Sequence, residues 1–355
     1  MSQPTIFDLE HYPLPPTRRR RGPGRSVALV LVVVLLGGAG LGGAGLWAVS
    51  NRQYIADQFA VWNFTSNEAI DGYIERSTMT DRGAFLFTAS APEIVAGEDF
   101  AATCGSGEEG TGVLGCYLPR TKSIVLFDVT DERLDGIEDV VASHEMLHAA
   151  WDRMSAEEQA EVQPLLEAEA AALSGDAEFM ARMELYDRTE PGERDNELHS
   201  IIGTEYGTVS PELEAYYADF FDDRAALVAL HVTSNAVFVE LEARSAALVE
   251  ELEALRSGIE ADYASYNSGY DELNADISEF NADANGGVFT STAQFNREKS
   301  ALLARRDELD ALYASVQERS AVFDTKAVEL ESLNAEAAEL NTSLNIVPRG
   351  EPALE

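Results

Sequence analysis

Phe295, Leu302, Leu309, Val316, Phe323, Leu330, Ala337 and Leu344 recur at strict sevens and commit the C-terminal third of this chain to helix. An apolar residue every seven positions keeps one seam of a slightly underwound helix facing a partner. Leu312, Leu333 and Leu340 fall on the neighbouring seam three residues later. The preceding segment repeats the pattern through Leu248, Leu252, Leu255, Ile259, Tyr263, Tyr266, Tyr270, Leu273, Ile277 and Phe280, with one 4–4 step at Ile259. Asn285-Gly286-Gly287 interrupts the run. An antiparallel coiled-coil hairpin is therefore expected over residues 236–345, with arms of roughly 45–50 residues and about 70 Å. Because several seam positions are Tyr or Ala, a pair of helices folded back on the rest of the chain is the alternative. In either form the segment is a spacer or docking arm, for a partner or a second copy of the chain. A short tail, 346–355, follows.

The other end of the chain sets the expected topology. Residues 27–49, VALVLVVVLLGGAGLGGAGLWAV, contain no charge, and at 1.5 Å per residue they span roughly 30 Å of hydrocarbon. Arg18, Arg19, Arg20, Arg21 and Arg25 precede them, against Asp8 and Glu10. The positive-inside rule then makes residues 1–26 a cytoplasmic tail and places the rest outside, in a single-pass protein of the cell membrane. A cleaved signal peptide is the alternative.

Charge excludes some partners. The chain carries 25 Lys and Arg against 63 Asp and Glu, a net of −38. Such a surface repels phosphate, so nucleic acid and anionic lipid are not expected partners. The two cysteines, Cys104 and Cys116, enclose a Gly-rich stretch, GSGEEGTGVLG. Outside the cell they are expected to form a disulfide.

The chemistry concentrates at His144-Glu145-Met146-Leu147-His148, in a chain with only five histidines. Two imidazoles at i and i+4 of a helix leave one face and can reach a single metal ion. The carboxylate beside the first can take a proton from a metal-bound water. Val141, Ala142, Ala149 and Ala150 flank the run without charge, as suits a buried helix whose polar groups converge on one point. The run resembles the zincin metallopeptidases, and the resemblance covers about a dozen residues. It implies His144 and His148 as zinc ligands and Glu145 as general base. Peptide deformylases share the pattern and add an upstream cysteine, but a membrane segment and paired cysteines do not suit that cytosolic group.

A catalytic zinc needs a third protein ligand and an open position. Asn196-Glu197-Leu198-His199-Ser200 is similar to the Asn-Glu-x-x-Ser pattern of the gluzincins, the zincins whose third ligand is glutamate. The resemblance implies Glu197 as that ligand and Ser200 as the small residue that lets two helices approach. Glu205 is the alternative ligand, with His199 a further one. Ile201 stands where the family often has an Asp that orients a histidine, so that role must fall elsewhere. Tyr206, Tyr216, Tyr217 and His231 are candidates for a transition-state donor.

The rest of residues 50–235 supplies the frame of a zincin-like domain with a small β-sheet. Residues 51–62 read as a helical stalk, and 66–103 as a helix with a short apolar stretch, Ala84 to Phe87. SIVLFDV, residues 123–129, is β-branched and apolar and reads as a strand. A strand just before the active-site helix is similar to the zincin edge strand that pairs with extended substrate, so Val125 to Val129 are expected to hold it; an ordinary core strand is the alternative. Ser155 and Glu158 form a capping box opening a helix to about Leu173, and Ser210-Pro211 opens another. The fold class expected is α+β, mainly α. The function expected is zinc-dependent hydrolysis of protein or peptide substrates in the cell envelope. A scaffold with an inactive zincin-like domain and a partner-binding coiled coil is the runner-up.

Overall fold

A computed structural model describes residues 47–105 and 112–344. The tail and apolar segment expected over 1–49 lie almost wholly outside the described residues, as does the tail 346–355. The chain divides into two units, Met1–Gln58 and Phe59–Glu355. The stalk helix, α1 (Arg52–Asn63), runs across that division.

The second unit is mainly helical with one small sheet. It begins with α2 (Glu68–Arg76) and α3 (Asp81–Ala89), capped by Asn67 and Thr80, whose side chains accept the Ile70 and Gly83 amides. The stretch Ala84 to Phe87 thus lies inside a helix. Leu86 and Phe87 are buried there. Then come β1 (Glu93–Val95), α4 (Gly97–Cys104), β2 (Gly115–Leu118) and β3 (Ser123–Phe127). The sheet order is β1-β3-β2, with β1 parallel and β2 antiparallel to β3.

That order corrects the edge-strand expectation and bears out its alternative, a core strand. β3, the strand read from SIVLFDV, has a partner on each side and no free backbone edge. It cannot add a substrate strand along Val125 to Val129, because both rows of its main-chain groups are already paired. The edge strands are β1 and β2.

Helix α5 (Ile137–Trp151) carries the two histidines and is buried from Glu145 through Ala150. The capping box at Ser155 and Glu158 forms as expected and opens α6 (Ala156–Ala172). A helix not expected from the sequence follows, α7 (Ala177–Thr189), capped by Asp176, whose side chain accepts the Glu178 and Phe179 amides. Helix α8 (Arg194–Glu205) crosses α5, with Leu198, Ile201 and Ile202 buried between them and the rest of the core. The two helices come close at Gly203. A Cβ there would stand 2.6 Å from Leu147 Cδ1 and 2.7 Å from Tyr217 Cε1. α9 (Pro211–Tyr217) closes this core with Leu213 and Tyr217 fully buried.

The hairpin is formed by α10 (Arg224–Gly286) and α11 (Thr292–Ser343), joined where Gly287 adopts a left-handed conformation, φ 69°. α10 starts earlier than the expected boundary at 236, and no break separates the arm from the core. Leu227 belongs to the core around α5 and α8, whereas Leu241 and Leu248 pack with Leu333, Leu340 and Leu344 over Leu134. The return helix thus docks its end on the turn before α5. α10 also contains a stretch long and apolar enough to cross a membrane by length and composition. Only 22 % of that stretch is buried within this unit.

Candidate metal centre

His144 and His148 sit one turn apart on α5, and Glu197 enters from the first turn of α8. One ligand atom from each lies within 4.8 Å of the other two. The two imidazoles face each other through Nε2, 3.0 Å apart, and His148 Nε2 is 3.6 Å from Glu197 Oε1. A tetrahedral ion with bonds of 2.0–2.1 Å separates its ligand atoms by about 3.3 Å, so these two spacings bracket what such an ion asks for.

The donors are aimed by their neighbours. Asn196 Oδ1 is 2.9 Å from His148 Nδ1, and Ser200 Oγ lies 3.2 Å from the same nitrogen. Asn196 Nδ2 donates to Glu193 Oε2 at 3.2 Å, which leaves the amide oxygen to face the ring. The proton of His148 is therefore on Nδ1 and Nε2 presents a lone pair. The orienting role that Ile201 cannot fill thus falls to Asn196 and Ser200. Ser200 does more than admit the neighbouring helix.

The electrostatics describe a site short of a cation. Burial, and then the adjacent His148 ring, hold His144 well below its ordinary 6.5. Burial also lowers His148, against the opposing pull of Asn196. Glu145 is pushed up to about 8 by burial and then by Glu190, with a hydrogen bond from the Tyr117 backbone N–H opposing. Glu197 is pushed up to about 9 by burial, then by Glu190 and Glu145. Glu145 Oε2 and Glu197 Oε2 are buried with no hydrogen-bond partner among the described residues. Two neutral imidazoles with two desolvated carboxyls and orphaned oxygens fit a divalent cation, because its charge would relieve what burial makes costly.

The remaining candidates fall elsewhere. Glu205 is paired with Arg182 and lies 3.8 Å from His231 Nε2, so the alternative ligand is engaged in a separate ion-pair cluster. Arg182 and Glu205 are the stronger pair there, and His231 is half-buried beside them. His199 is fully buried in an aromatic nest, its Nε2 2.8 Å from Tyr216 Oη, while Tyr217 Oη donates to the His199 carbonyl at 2.7 Å. That accounts for both tyrosines as core groups. Tyr206 packs edge-on against Phe179 at 5.7 Å. The expected disulfide, Cys104–Cys116, forms and links the end of α4 to β2.

Two residues of α7 not anticipated from the sequence lie within electrostatic reach of the site. Tyr186 is half-buried, and the charged groups acting on its phenol are Glu197, Arg182, Glu205 and Glu145, after burial itself. All but the arginine keep it protonated. Arg182 lies one turn before it and acts on His144. The signal was present as Phe179, Met183 and Tyr186 at helical spacing behind the Asp176 cap. Comparison of the chain with protein-family models, with curated proteins and with solved structures found no match.

Proposed function

We propose that this chain is a zinc-dependent metallopeptidase of gluzincin kind, held at the cell membrane by residues 27–49 and acting outside on protein or peptide substrates. The observation that carries the reading is the meeting of His144, His148 and Glu197, from two separate helices, within reach of one ion and beside Glu145. The nitrogen and oxygen donor set suits zinc. Zinc held there supplies Lewis acidity, polarising a carbonyl and lowering the pKa of a water from about 16 towards 7.

The chain's own groups do the rest. Glu145 is 5 % exposed, with one oxygen unpartnered and the Tyr117 N–H donating to its carboxylate. It accepts a proton from the attacking water and returns it to the leaving amine. Tyr186, kept protonated by burial and by the acidic groups around it, donates to the oxygen on which negative charge develops. The hairpin of α10 and α11 is a spacer or docking arm that governs which envelope protein is presented.

Glu145→Gln in the purified full chain is the deciding experiment. Zinc content is expected to stay at the wild-type level while peptide hydrolysis falls by about 10²–10⁴-fold. Wild-type turnover in that variant defeats the mechanism. A chain that binds no zinc, and melts identically with and without chelator, favours the scaffold reading instead. For Tyr186→Phe a drop in kcat of about 10²-fold with little change in KM is expected. An unchanged kcat removes Tyr186 from the chemistry.

A further inference from the structure

The disulfide and the strand it holds sit beside the one carboxylate that the reaction moves a proton through. The Phe127 N–H donates to the Leu114 carbonyl at 2.8 Å, which makes these two a hydrogen-bonded pair of the antiparallel ladder. Such pairs alternate along a ladder. In the observed register, Gly115↔Leu126, Cys116↔Val125 and Tyr117↔Ile124, Cys116 then turns its main-chain groups toward β3. Gly115 and Tyr117 turn theirs to the open edge. The edge donor of Tyr117 is the one that reaches the Glu145 carboxylate.

Gly115 supplies the complementary constraint. A Cβ at that position would stand 2.9 Å from Glu145 Oε1, 2.8 Å from its Cγ and 2.6 Å from Val141 Cγ1. Only glycine lets the strand lie this close to the carboxylate, so one hydrogen bond and one steric limit together define where Glu145 can be. The strand is fastened at Tyr117 and at the cysteine between these two residues. Tyr117 Oη donates to Asp152 Oδ2 at 2.5 Å, at the end of α5. Cys116, between Gly115 and Tyr117, is bonded to Cys104 of α4. α4 itself is seated on the sheet through fully buried Phe100, whose ring meets Phe127 edge-on at 5.3 Å. A four-residue edge strand has few ladder bonds of its own and frays readily without such a tie.

We propose that β2, tied to α4 by the Cys104–Cys116 disulfide, is the positioning element of Glu145, and that reduction of this disulfide lowers turnover while the metal stays bound. Gly115 and Tyr117 are positioning residues, acting through Glu145. The inference rests on the reading of Glu145 as the general base. Reduction breaks the S–S bond with two electrons from an added phosphine and two protons from water, whose oxygen the phosphine takes up as its oxide, and leaves two free thiols.

The test uses the full chain, loaded with zinc and compared before and after phosphine reduction. Hydrogen exchange of the peptide spanning β2 is read by mass spectrometry beside zinc content, kcat and KM. One β2 amide is expected to be protected in the wild type and in Glu145→Gln, which keeps an acceptor, and to exchange rapidly in Glu145→Ala. Reduction is expected to expose the same amide and to lower kcat by about ten- to a hundredfold, with KM and zinc content held and activity regained on reoxidation. An amide indifferent to Glu145→Ala overturns the proposal. So does a reduced chain, with both thiols titrated, that keeps its exchange pattern and kcat, or one whose kcat falls only in step with zinc loss. Should the oxidised chain hold zinc and cleave no peptide, the peptidase reading fails, and the exchange measurements still decide the positioning claim.

Discussion

Asn196 shows how one side chain decides what a neighbouring group can do. Its amide nitrogen is engaged by Glu193 and its oxygen by His148 Nδ1, so the ring is turned and protonated in the sense that frees Nε2. Partners of this kind commonly contribute 10–100-fold to metal affinity. Asn196→Ala is therefore expected to weaken zinc binding by about 10–100-fold, measured by competition with a chromophoric chelator. An unchanged affinity would show that Ser200, 3.2 Å from the same nitrogen, suffices alone. At this scale much of the centre was legible: the spacing of His144 and His148 and the pattern around Glu197 are local facts of helix geometry. Tyr186 was not, because an aromatic at helical spacing reads as core until the fold shows that Glu197 and Glu145 act on it.

Helix α5 illustrates the same division among elements. Its uncharged flanks announced burial, but the first turn holds a carboxylate that no sequence pattern marks as unusual. Asp139 is 2 % exposed, with Arg76 Nη2 at 3.5 Å and one oxygen without a hydrogen-bond partner among the described residues. Burial pushes it up to about 6 from an ordinary 3.8, despite Arg76. Between those values the unfolded chain has released the proton that the folded chain still holds. Its contribution is thus fully present below pH 4 and is lost as pH rises to 6, leaving a penalty of about 3 kcal/mol above that. Asp139→Asn is expected to raise stability at pH 7.5 and to give little gain at pH 4, read from urea melts at both. Equal destabilisation at the two pH values would mean that the contact with Arg76 outweighs the buried charge. β2 is the least legible element. Four residues after a Gly-rich stretch carry no periodicity, and their importance comes wholly from lying against Glu145.

Across the whole molecule the acidic excess acts against folding. A net of −38 opposes compaction through self-repulsion, and ions screen it with a Debye length of about 10 Å at 0.1 M. Raising NaCl from about 0.02 to 0.5 M is expected to increase Tm by several degrees in differential scanning calorimetry, since roughly 1 kcal/mol moves a domain of this size by about 2–4 °C. A fall in Tm would show that ion pairs such as Arg305 with Glu272 and Asp276, or Arg224 with Glu214, outweigh the repulsion. The hairpin belongs to this scale as well. Its seam leucines predicted two long antiparallel arms and the Gly286-Gly287 turn, yet the first turns of α10 lie in the core with Leu227.

Local rules therefore determined the helical pair, the imidazole face of α5, the capping of α6 and the cysteine pairing, because each depends on residues a few positions apart or on a single closed loop. Tertiary structure decided which strand is at the edge, that Glu205 is paired with Arg182 rather than free to ligate, and that the Tyr117 amide reaches Glu145. Those outcomes depend on helices and strands far apart in the chain coming within ångströms of each other, and periodicity cannot report such distances.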